Sequence, residues 1–126
     1  MTALIQPELS YTITGFCFKI QNELGRFCKE RQYSERLEKS LKDARINYKR
    51  EFKINKLKID SPEGNIVDFL IDNKVILDIK AKRFITKEDY IQMQRYLKCA
   101  NLELGLIINF RSAYLKPKRI LNGSYS

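Results

Sequence analysis

The stretch Val67–Lys82, VDFLIDNKVILDIKAK, decides how this chain folds. Val67, Phe69 and Ile71, then Val75, Leu77 and Ile79, are what two buried strands of a hairpin are made of, with Asp72 and Asn73 at the tip. Asp68, Asp78 and Lys80 interrupt the apolar run. Burying charge is costly unless the charge is paired or meets a cation. Side chains two apart on a strand share a face, so Asp78 and Lys80 point the same way. Asp68 joins them only if the hairpin loop has an odd number of residues. A loop of Asp72 to Lys74 sets Asp68 directly opposite Asp78, with Cβ atoms about 4.5–5.5 Å apart. A two-residue loop, Asp72–Asn73, turns Asp68 to the other face.

Two carboxylates facing each other in an apolar setting repel unless a proton or cation lies between them. Mg²⁺ suits such a pair, because it takes oxygen ligands, keeps several waters and needs one or two carboxylates. Lys80 could then orient the attacking water or neutralise charge growing on a phosphate. The residues alone leave a second reading open: Asp68 or Asp78 paired with Lys80 as a structural salt bridge, or an exposed sheet edge.

Upstream, Leu9, Ile13, Phe16, Ile20 and Leu24 recur at three- and four-residue steps, which predicts an amphipathic helix over Glu8–Leu24, closed by Gly25. A second helix is expected from about Cys28 to Ala44 on the stripe Tyr33, Leu37, Leu41. Glu30 falls on that stripe and could bring a third carboxylate. Tyr48, Arg50, Phe52 and Ile54 alternate with charged residues as in a strand, and SPEGN (Ser61–Asn65) is turn material. Thr86 with Asp89 three residues on forms a variant capping box. Its helix should reach about Lys98 and bury Tyr90, Met93, Leu97 and Ala100. Leu104–Phe110 is apolar on both sides and reads as a central strand, while Tyr114–Leu121 could add an edge strand. The order helix, helix, three strands, helix, strand gives an antiparallel meander and a helical crossover. The expected fold is α/β (α+β), a mixed sheet flanked by helices in one domain over residues 1–126.

Composition narrows the chemistry. Histidine is absent, so a Ser-His-Asp triad, a Cys-His pair and an HExxH zinc site are excluded. The 3 cysteines lie far apart with no CxxC, which predicts reduced thiols. The 5 glycines are scattered and form no phosphate loop. With 24 Lys+Arg against 15 Asp+Glu, the net charge of +9 attracts polyanions, nucleic acid first. No apolar run approaches the ~20 residues that cross a bilayer, and the N-terminus does not resemble a signal peptide, so a cytoplasmic location and no membrane contact are expected.

A helix glutamate, then Asp, then (D/E)xK on neighbouring strands, then a helix bearing QxxxY resembles the PD-(D/E)XK nuclease superfamily. More closely, the chain is similar to its small bacterial GxxExxY proteins. The similarity spans ELSY at Glu8 to Leu121 and includes NELG (Asn22–Gly25), Glu30 to Tyr33, VDF (Val67–Phe69), LDIKA (Leu77–Ala81), QMQRYLK (Gln92–Lys98) and LGLIINF (Leu104–Phe110). The resemblance implies a restriction-endonuclease-like ααβββαβ core and a Mg²⁺- or Mn²⁺-dependent phosphodiesterase, with DNA ahead of RNA as substrate. It makes Asp68, Asp78 and Glu30 the metal ligands, and Lys80 and Gln92 further catalytic groups. It gives Tyr96, Lys82 and Arg83 contacts to nucleic acid. Phe27 stands where the signature has its first glycine, which reads as a local packing change, and Asp78 stands where the closer relatives usually carry Glu. So small a core is expected to dimerise or to work with a protein partner. The rival expectation is a catalytically inactive, basic nucleic-acid- or partner-binding module on the same fold.

Overall fold

The computed structural model describes residues 6–54 and 66–123. In chain order its elements are α1 (Pro7–Leu24), α2 (Glu30–Asp43), β1 (Tyr48–Lys53), β2 (Ile66–Ile71), β3 (Val75–Lys80), α3 (Lys87–Ala100), β4 (Leu104–Asn109) and β5 (Lys118–Leu121). The central hairpin closes through three residues. Phe69 faces Leu77 and Ile71 faces Val75, leaving Asp72–Lys74 as the loop. Asp72 and Asn73 both adopt φ 53°, a left-handed conformation that their short polar side chains tolerate. Continued by one residue, this register sets Asp68 opposite Asp78.

The five strands lie side by side in the order β1-β2-β3-β4-β5. β1, β2 and β3 form the antiparallel meander, and α3 crosses over so that β4 runs parallel to β3. β5 closes the far edge antiparallel to β4. This is the expected mixed sheet of the α+β class, consistent with a restriction-endonuclease-like fold. β4 is buried along its whole length because helices cover both of its faces.

Two apolar layers hold the helices on. Ile13, Cys17 and Ile20 of α1 and Tyr33, Leu37 and Leu41 of α2 pack on Phe69, Leu77, Ile79, Leu106 and Ile108. On the opposite face Met93, Tyr96 and Leu97 of α3 pack on Leu70, Ile76, Ile107 and Ile120. Tyr33 stacks on Phe110 at 4.1 Å between ring centroids. Its hydroxyl donates to the Gly25 carbonyl at 2.5 Å and accepts from the Cys28 amide at 3.2 Å. Gly25 takes φ 80°, as the helix-ending glycine should. All three cysteines are free, and burial pushes the Cys17 thiol up to about 12. Among the described residues no helix is long and apolar enough to cross a membrane.

The expectations for β1 and for Glu30 fare differently. The alternation read into β1 is present, with Tyr48, Arg50 and Phe52 half-buried between exposed charged residues, while Tyr48 packs in the α1/α2 layer and Phe52 and Ile54 in the α3 layer. Between them Glu51 takes φ 52°, and Val67, paired with Phe52, also lies in the α3 layer. Glu30, read as sharing the buried stripe of α2, is exposed. It is the first residue of that helix, whose burial begins at Tyr33. The turn expected at Ser61–Asn65 lies outside the described residues.

Candidate active site

Asp68 occupies a gap in the hydrogen-bond ladders on both sides of its strand. The β2–β3 ladder runs from Ile71–Val75 to Phe69–Leu77. The next amide, Ile79 N–H, donates to Asp68 Oδ2 at 2.6 Å. On the other side the β1–β2 ladder skips Glu51, the residue that would face Asp68. A non-glycine residue held at positive φ costs about 1–3 kcal/mol, and such strain clusters at functional sites.

The two aspartates meet in this gap. Asp68 is mostly removed from water and in hydrogen-bond contact with Asp78. Burial first, then that contact and the Asp78 charge, push its carboxyl up to about 8, against the pull of the Ile79 amide. At neutral pH the Asp68 carboxyl therefore keeps its proton, as one of two facing carboxylates does when no cation separates them. Lys80 Nζ lies 3.0 Å from Asp78 Oδ2 and 3.7 Å from Asp89 Oδ1. Burial works against its ammonium, but the charges of Asp78, Asp89 and Glu30 outweigh burial and hold the Lys80 pKa above its ordinary value.

α3 supplies the roof. Asp89, Gln92 and Tyr96 recur at spacings of three and four and so line one side of the helix. Asp89 is buried. It accepts from Thr86 N–H at 2.7 Å in the expected capping box and also holds Lys82 Nζ at 2.5 Å. Burial resists its ionisation, but Lys82, the Thr86 amide and Lys80 outweigh burial and lower its pKa. Tyr96 is buried as well, and burial followed by the Asp78 charge raises its pKa. Gln92 is half-buried on the same helix.

Asn109 fixes the floor. It ends β4 beside Lys80 in the parallel register. Its Oδ1 accepts from Lys82 N–H at 3.1 Å, and its Nδ2 donates to the Lys82 carbonyl at 2.7 Å. Phe110 N–H donates to the Lys80 carbonyl at 2.9 Å. The chain leaving β3 is thereby tied to the chain leaving β4.

The structure thus brings Asp68, Asp78, Lys80 and Tyr96 together, with Gln92 on the adjoining helix. Glu30 stays outside this group: its charge reaches Asp68 and Lys80, yet no cluster of three or more acids or other metal-ligating side chains forms among the described residues. Lys82 is engaged by Asp89, and Arg83 is exposed beside Phe84. Two residues escaped the sequence reading. Asp89 registered only as a helix cap, because its spacing from Thr86 accounts for it fully. Asn109 left a fainter signal, a single amide closing an otherwise apolar strand. Phe27, read as a packing change, is 75% exposed and packs into no core.

Comparison with known proteins agrees with this geometry. The family model of the PD-(D/E)XK nuclease superfamily matches residues 7–120, which takes in every element but the final residue of β5. The chain belongs to the PD-(D/E)XK nuclease superfamily, whose nucleases generally use divalent metals. Searches of curated proteins and of solved structures found no match.

Proposed function

We propose that the protein is a divalent-metal-dependent nuclease of the GxxExxY type that hydrolyses phosphodiester bonds, with DNA as substrate and Mg²⁺ or Mn²⁺ as cofactor. The observation that carries this reading is Asp68 facing Asp78 across a break in the sheet, with Lys80 beside them. A protonated carboxyl facing a second carboxyl group in a largely dry gap is a fitting seat for a hard divalent ion, which can take the proton's place. When bound, such an ion supplies Lewis-acid charge to a phosphoryl oxygen and acidifies water.

The chain's own groups do the rest. Asp68 and Asp78 hold the ion, and Glu30 acts from the outer side as an electrostatic contributor. Lys80, kept protonated by Asp78 and Asp89, presents an ammonium to charge developing on the phosphate. Gln92 positions water or a phosphate oxygen, and Tyr96 contacts the backbone of the substrate.

The test is cleavage of end-labelled DNA by the purified protein. Cutting is expected with Mg²⁺ or Mn²⁺ and is expected to stop in chelator. Asp78→Ala and Lys80→Ala should each lower the rate at least about 100-fold, with far-UV circular dichroism unchanged. Cutting that survives both substitutions would reject the assignment. Metal-independent, salt-sensitive binding without hydrolysis would make the protein a binding module on the same fold.

A further inference from the structure

β3 and β4 run parallel and end together, and the segments that leave them carry exposed aromatic rings among arginines. Phe27, in the turn between α1 and α2, is 75% exposed, Phe84 is 69% exposed and Tyr114 is 83% exposed. Large rings left in water beside one site form a patch that marks an interaction surface. The guanidinium groups of Arg26 and Arg111 each lie 5.2 Å from the Phe27 ring centroid. Both arginines are held by backbone: Arg26 Nε donates to the Arg111 carbonyl at 2.9 Å, and Arg111 Nε donates to the Arg26 carbonyl at 3.1 Å. Their charge is therefore fixed in place without an acid partner in these contacts. Arg83, three residues beyond Lys80, sits 5.6 Å from the Phe84 ring. An open cleft of about 560 Å³ has Phe27, Tyr114 and four cations in its lining and no carboxylate.

From these features we infer that this cleft is a stacking platform for an unpaired nucleic-acid strand, so that the substrate is single-stranded or carries a single-stranded segment. The inference rests on the nuclease reading for the identity of the polymer and deepens it by naming the substrate class. In a duplex the faces of the bases are covered by their neighbours. An unpaired base offers a free face to Phe27 or Tyr114, while its phosphates meet Arg26, Arg83 and Arg111. Phe27, where the GxxExxY signature has glycine, thereby gains a role that packing does not give it.

Fluorescence anisotropy in chelator, on the full chain, separates binding from cutting. The probes are oligothymidine, oligouridine and a DNA duplex of matched length. One unpaired strand is expected to bind at least about 10-fold more tightly than the duplex, and the comparison of the two single strands assigns DNA or RNA. Phe27→Ala and Tyr114→Ala should each weaken single-strand binding about 5- to 150-fold, the loss that one stacked base represents. Phe27→Tyr should restore it, and duplex binding should not move. Unchanged single-strand affinity in both alanine variants, or a preference for duplex, would overturn the platform. Ring-dependent binding without cleavage would remove the nuclease reading and leave the platform standing. Cleavage that ignores the rings would do the reverse.

Discussion

Asp68 spends folding free energy to sit where it does. An unfolded aspartate ionises near 3.8, but in the fold the carboxyl is held up to about 8. Between those values the unfolded chain has released a proton that the native one keeps, so stability falls as pH rises across that window and levels off above it. Asp68→Asn keeps an acceptor for the Ile79 amide, adds a donor toward Asp78 and cannot ionise. In chelator at pH 8 this variant should melt about 5 °C or more above the parent, while calorimetry should find its Mn²⁺ binding lost. A melting point at or below the parent's would contradict the ionisation argument. Asp89 acts in the opposite sense on Lys80: Asp89→Asn preserves the helix cap and removes a negative charge 3.7 Å from the ammonium. The alkaline limb of the pH–rate profile should then move to lower pH. A merely structural Asp89 would leave that limb in place and change only the melting temperature.

How α3 sits on the sheet decides whether its residues reach the site, and Gly105 leaves room for one of its side chains. A Cβ added to Gly105 of β4 would fall 2.3 Å from Met93 Sδ and 2.7 Å from Met93 Cγ. Gly105→Ala should therefore destabilise the fold by about 1–3 kcal/mol, read from denaturant unfolding. A double-mutant cycle with Met93→Ala should show strong coupling, because the second change removes the atoms that clash. Much of this architecture is legible in the sequence. The stripes Leu9–Leu24 and Tyr33–Leu41, the Thr86–Asp89 cap and the unbroken apolar strand at Leu104 each carry a period that water enforces. The faces of Asp78 and Lys80 follow from strand alternation alone. The placement of Asp68 depended on loop parity, which local sequence left open between two and three residues. The positive φ of Glu51 and the exposure of Glu30 were not legible, because neither leaves a mark in the apolar periodicity.

Across the whole molecule the net charge of +9 favours polyanions, and on the stacking inference the exposed rings select among them. Binding of any nucleic acid should weaken steeply with added salt, the logarithm of affinity falling linearly with that of salt concentration. Arg83→Ala should flatten that slope by about one phosphate contact, whereas Phe27→Ala should lower single-strand affinity at every salt concentration without changing the slope. Equal slopes for the parent and the Arg83 variant would take that arginine out of the interface.

The amide of Ile79 is guarded by a side chain rather than by the neighbouring strand, and that makes it a natural probe. Hydrogen–deuterium exchange at this one position should accelerate in Asp68→Ala, while Leu77, inside the intact ladder, keeps its protection. The same amide can then track, in the unmodified protein, whether its guardian is occupied elsewhere.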